Sequence, residues 1–102
     1  MKTVQIECKK DLSSLAGYDY GVQVYNTQIA PISISETIQL IIPENIVYVS
    51  SSFIQGLIKE IVELCVKNNV YVKDYFFVKA LSNSSFIQKS FDRYIQWKIG
   101  VR

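Results

Sequence analysis

The residues that could do chemistry in this chain are few, and most stand together. Ser50, Ser51 and Ser52 are followed by Phe53, Ile54 and Gln55, after which an apolar pattern runs on to Asn68. Serine hydroxyls at a helix start either satisfy free backbone N–H groups or stay available for phosphorylation. Ser52 with Gln55 has the spacing of a capping box, in which the hydroxyl takes an N–H of the first turn and the amide reaches back to the cap. One cap suffices for one helix, so three hydroxyls are more than the fold requires. The candidates for phosphorylation or partner binding are therefore Ser50, Ser51, Ser52, Phe53 and Ile54.

Covalent and metal chemistry have little to work with. The chain contains no histidine, which removes Ser-His and Cys-His nucleophilic pairs, the usual acid–base group near neutral pH and the commonest metal ligand. Cys8 and Cys65 are too few and too far apart for a disulfide framework or a metal site. Cys65 also falls within the apolar stripe, where a thiol behaves as a small hydrophobe. There is no phosphate-cradling glycine loop. The expectation is a protein that is not an enzyme and uses no cofactor or metal.

The serines must be held by the elements around them. Phe53, Leu57, Ile61 and Leu64 recur at steps of four, four and three, widened by Ile54, Ile58 and Cys65, so the stretch from Ser50 to Asn68 is a core helix. Before it, Ile38 to Ile42 is a nearly continuous apolar run suited to a central strand, and Pro43-Glu44-Asn45 makes a turn. Thr3 to Glu7 alternates as a short strand would. Leu15, Tyr18, Val22, Tyr25 and Ile29 share a helical face, with Gly17 and Gly21 permitting close approach to a sheet and Pro31 ending that helix; the rival is a strand through Val22, Val24 and Tyr25, which the β-branched content and the helix-weakening glycines favour. After the central helix, Val70 to Val72 and Tyr75 to Leu81 both have strand composition, Tyr75 to Val78 being the better candidate for the strand proper, and a βαβ unit with a right-handed crossover follows. Ser84 to Gln88 repeats Ser51 to Gln55 letter for letter and opens a last helix, with Ser85 and Gln88 as a second capping box followed by apolar anchors. Ile87, Phe91, Tyr94, Ile95 and Trp97 form its buried side, and Lys98 and Arg102 complement the dipole at its end.

With 102 residues, 49% of them hydrophobic, and only four glycines and two prolines, the chain is expected to form a single ordered domain over 1–102. No apolar leader or membrane-spanning run is present, which predicts a soluble, cytoplasmic protein. Charge is uneven: up to Val66 acidic residues outnumber basic ones, and from Lys67 onward seven basic residues face only Asp74 and Asp92. Lys89, Arg93, Lys98 and Arg102 are too dispersed for a nucleic-acid site, which favours a protein partner.

The apolar strand, the short turn, Val49-Ser50-Ser51-Ser52-Phe53, the amphipathic helix and the later strand–helix pair together resemble the STAS-like domain of bacterial proteins of unknown function (DUF4325). That group is related in fold to the STAS domains of anti-sigma factor antagonists, and the resemblance covers roughly residues 17–97. It implies an α/β fold with a mixed sheet of four or five strands, helices packed mainly on one face and no catalysis. In the antagonist domains a partner kinase, a histidine-kinase-like ATPase, phosphorylates a serine at this helix start and so ends binding. By that resemblance the aspartate preceding the phosphorylated serine falls at Ser50, the phosphorylated serine at Ser51 and the following hydroxyl at Ser52.

Two readings of function follow. The first is a non-catalytic regulatory module that binds a protein partner through Ser50 to Ile54 and is switched by phosphorylation. The second is a phage or mobile-element accessory protein that inhibits a host protein by holding its surface.

Overall fold

The computed structural model describes the backbone of residues 1–82 and 85–99, and side chains as far as Ile95. Ser84 and Arg102, and the side chains of Trp97 and Lys98, lie outside the described residues. The elements are β1 (Lys2–Gln5), β2 (Ser14–Leu15), α1 (Tyr18–Val24) continued by a π-helical turn (Tyr25–Ile29), β3 (Ile38–Ile42), β4 (Tyr48–Val49), α2 (Ser51–Lys67), a 3-10 turn (Val72–Asp74), β5 (Phe76–Ala80) and α3 (Ser85–Ile99). This is an α/β fold.

The strands form two separate sheets. β3 lies between β1 and β5 with both pairings parallel, while β2 and β4 make a parallel pair of their own. The expected mixed sheet of four or five strands is thus replaced, among the described residues, by three strands plus two, all parallel. Every connection between paired strands passes through at least one helix, so no hairpin is available to reverse direction. The order β1-β3-β5 advances one way across the sheet, and right-handed crossovers running one way place their connections on one face.

Burial follows that arrangement. Ile38, Leu40 and Ile42 of β3 are inaccessible, as is Phe76 of β5, whereas Gln39 and Ile41 between them are half-buried. The helices complete the same core with Phe53, Leu57, Ile61 and Phe91, all at 0% exposure. Phe91 meets Phe76 with ring centroids 6.5 Å apart. Tyr75 is buried too, and its hydroxyl donates to the Ser33 carbonyl at 2.7 Å. Tyr94 is half-buried at the edge of this core.

The segment before β3 departs most from expectation. Leu15 is buried from strand β2 and not from a helix, because Gly17, at φ 98°, breaks the chain direction before α1 begins. α1 then turns its smallest residue inward. A β-carbon on Gly21 would stand 2.8 Å from the Leu57 nitrogen and closer to the Phe53 carbonyl, and one on Gly56 would stand 3.0 Å from the Val22 nitrogen. The close approach that the glycines permit is therefore to α2, not to a sheet, and it involves Gly21 with Gly56. With Gly21 inward, Tyr18 is rotated out to 41% exposure, and Val24, Tyr25 and Ile29 take the core side. Lys2 closes the π-helical end, its ammonium donating to the carbonyls of Ile29 and Pro31 at 2.6 and 2.9 Å.

Val70 to Val72 is not a strand: Val72 begins the 3-10 turn that leads into β5. α2 ends where expected, at Asn68 and Asn69. Asn69 takes φ 58° and the Val70 N–H returns to the Cys65 carbonyl at 2.9 Å, which satisfies the last turn.

Candidate functional site

α1, α2 and α3 each follow a strand, β2, β4 and β5 respectively, and the parallel β2–β4 pair sets the starts of α1 and α2 side by side. Ser50 joins them. Its N–H donates to the Leu15 carbonyl at 2.9 Å, and its hydroxyl oxygen accepts from Phe53 N at 3.1 Å and from Gly17 N at 3.3 Å. With both lone pairs so used, the Ser50 proton is left to donate to Ser52 Oγ, 3.1 Å away. Ser50 is therefore the N-cap of α2, and it also takes the N–H of Gly17, the residue that caps α1.

This corrects the assignment of the cap to Ser52. Ser52 lies inside the first turn, half-buried, and Gln55 is exposed, so the expected capping box does not form. The register is set from outside the helix, because β4 pairs with β2 through Val49 and leaves Ser50 as the first residue free to cap. Ser51 is the first residue of the helix; its side chain is exposed, and among the described residues its hydroxyl makes no hydrogen bond. Of the three serines, two are tied and the middle one is open.

Phe53 and Ile54 do not share that openness. At 0% and 1% exposure they point into the core, with Phe53 against Tyr20 at a centroid distance of 5.5 Å, so neither offers its side chain to a partner. The exposed apolar groups nearest the serines along the chain are others. Val47 is 55% exposed and Tyr48 45%, and Tyr48 stacks on Phe86, itself 54% exposed, at 5.6 Å. Sequence reasoning missed this cluster because Phe86 repeats the setting of Phe53 and was expected to be an anchor. One signal was present: Tyr48 lies two residues before Ser50 in a strand whose neighbour Val49 faces inward, so alternation turns Tyr48 outward. Nor does Gln88 close the second capping box, since its amide donates to Asp92 at 3.0 Å.

The groups that could support catalysis are dispersed. Burial pushes the Cys65 thiol up to about 11, which keeps it protonated and unreactive at neutral pH. Cys8 is half-buried, with Asn45 Nδ2 at 3.9 Å from its sulfur. A groove of about 710 Å³ runs between α1 and α2 past Asp19, Lys59, Glu60 and Glu63; Thr27 also lines it, its hydroxyl donating to the Gln23 carbonyl at 2.7 Å. No three Cys, Asp or Glu side chains among the described residues gather closely enough to hold a metal ion. Among the described residues the order β1-β3-β5 runs one way, without the reversal at which open α/β sheets form a ligand crevice. No helix among the described residues is long and apolar enough to cross a membrane. Comparison with protein-family models, curated proteins and solved structures gave no match.

Proposed function

We propose that this protein is a non-catalytic regulatory module, STAS-like in fold, that binds a protein partner in the cytoplasm through the start of α2 and releases it when Ser51 is phosphorylated. The observation that carries this reading is the contrast within the three serines. Ser50 and Ser52 are hydrogen-bonded to one another and Ser50 also to the backbone, while Ser51 is exposed and uncommitted, three residues after the exposed Tyr48 that stacks on Phe86. Exposed apolar groups suit protein recognition, the Tyr48–Phe86 pair supplying contact area and the serine the point of control. The resemblance to antagonist domains adds that the residue in the aspartate position, Ser50, serves as an N-cap, a task for which serine and aspartate are both well suited. It also points to a histidine-kinase-like ATPase as the partner.

A phosphate on Ser51 would bring about −1.5 to −2 charges to the positive end of α2, favourable to the helix by roughly 0.3–1 kcal/mol. The switch therefore acts on the partner and leaves the fold standing. The test is a pull-down from the native host with wild type, Ser51→Asp and Ser51→Ala, each also melted thermally. Ser51→Asp should melt like wild type yet lose the partner, and Ser51→Ala should bind and resist phosphorylation. Equal recovery of every partner by wild type and Ser51→Asp would refute the switch.

A further inference from the structure

The three-stranded sheet has a second face that the helical core does not use. Alternation places Thr3, Gln5, Gln39, Ile41, Phe77 and Lys79 there, and none of them is fully buried. Met1 and Leu81 continue the outer strands at 68% and 40% exposure, and Phe77 is 37% exposed. An antiparallel sheet commonly presents one polar face to water, but parallel sheets are found with both faces covered. Here the strands are all parallel, and apolar groups lie on both the central strand and an edge of the open face.

Size and charge together specify the missing layer. Three strands and five residues give about 10 Å between the outer strand axes and about 16 Å of length. An α-helix with its side chains is about 10–12 Å across, and 16 Å corresponds to roughly eleven residues of it. A second copy of the chain would need about 800 Å² from each partner for a stable dimer, against a face on the order of 200 Å² in plan. Lys79 is the sole charged residue among the strand residues of this face, with no carboxylate to offset it. We infer that the open face of the β1-β3-β5 sheet docks one short amphipathic helix of a partner chain, about eleven residues long, apolar toward Ile41 and Phe77 and acidic on the flank that meets Lys79.

The probe is a phage-displayed library of helical 14-residue peptides with randomised faces, panned on the wild-type protein. Enriched peptides should have an apolar stripe at helical spacing with Asp or Glu on one flank, and their binding should fall at least tenfold on Ile41→Asp. Should Ile41→Asp fail to fold, Lys79→Glu, at an exposed position, carries the test: panning on it should exchange the acidic flank for Lys or Arg. Ser51→Asp should leave peptide binding unchanged, which separates this face from the serine surface. The inference is overturned if no helical sequences are enriched or if enriched peptides bind both variants as they bind wild type. It is overturned equally if sedimentation shows the protein self-associating through this face, or if Lys79→Glu selects the same acidic flank.

Discussion

Replacing Gly56 by alanine should destabilise the domain even though alanine is the better helix former. At an unconstrained position the exchange favours the helix by about 1 kcal/mol. In α2 the added methyl group would stand 3.0 Å from both the Tyr18 carbonyl carbon and the Val22 nitrogen, and nearer still to the Tyr18 oxygen. All three are backbone atoms of α1, so no side-chain rotation relieves the contact, and ordinary separation of about 3.5 Å or more requires the two helices to part. Overpacking of this kind costs up to about 3 kcal/mol. Phe53 and Leu57, both at 0% exposure, flank the crossing and would lose packing as it opens. Setting the propensity gain against that cost leaves a net loss of about 2 kcal/mol, or roughly 10 °C in Tm for a domain of this size. Urea unfolding followed by circular dichroism should show a lower midpoint with an unchanged slope, and Gln55→Ala, at an exposed neighbouring position, should stay within about 0.5 kcal/mol of wild type. A Gly56→Ala protein as stable as wild type would show that α1 and α2 do not meet backbone to backbone.

Three further outcomes are expected. Phe53→Ala should cost about 3–5 kcal/mol and Phe86→Ala less than about 1 kcal/mol by chemical denaturation, despite their identical local sequences; similar costs would contradict their opposite burial. Ser50→Ala removes a cap and leaves the Gly17 N–H without its acceptor, so about 2 kcal/mol is expected, whereas Ser52→Ala should cost under about 0.5 kcal/mol; the reverse order in thermal melts would move the cap back to Ser52. Burial raises the Cys65 thiol from 9.0 to about 11, so above pH 9 the unfolded chain releases a proton that the folded one keeps, and stability should fall as pH rises from 9 to about 11. Tyr25 and Tyr75, raised mainly by burial, extend the decline above pH 10. Melting curves across this range should be flatter for Cys65→Ala, and an equally steep decline would remove the thiol from the account.

The sequence disclosed the elements whose burial is carried by large apolar side chains. Ile38 to Ile42 and the Phe53-Leu57-Ile61 stripe identify β3 and α2 because hydropathy records the faces they bury. It failed where the inward residue is small or where distant pairing decides. Gly21 is the inward contact of α1, and a pattern of hydrophobic side chains assigns a glycine to no face. Leu15 fits a helical spacing, yet its strand exists only because Val49 lies beside it. The same distance problem blurred the site. Three adjacent serines offer three registers for the cap, and the choice of Ser50 comes from the Leu15 carbonyl, which is far away in the chain. The two copies of Ser-Ser-Phe-Ile-Gln make the point most directly, since Phe53 is inaccessible and Phe86 half exposed.

The strand order also has a consequence for how the chain finds its structure. Lys2 pairs with Ile38, and Ile38 with Phe76, so each ladder closes a loop of more than a third of the chain. High contact order of this kind slows folding toward the millisecond-to-second range, because the entropy of closing each loop is lost before the strands reward it. β3 takes part in both ladders and α2 follows it, so their mutual packing is the earliest economical nucleus, with β1 and β5 arriving later from opposite sides. Substitutions at Leu40 and Leu57 should therefore slow folding, while those in β1 should chiefly hasten unfolding.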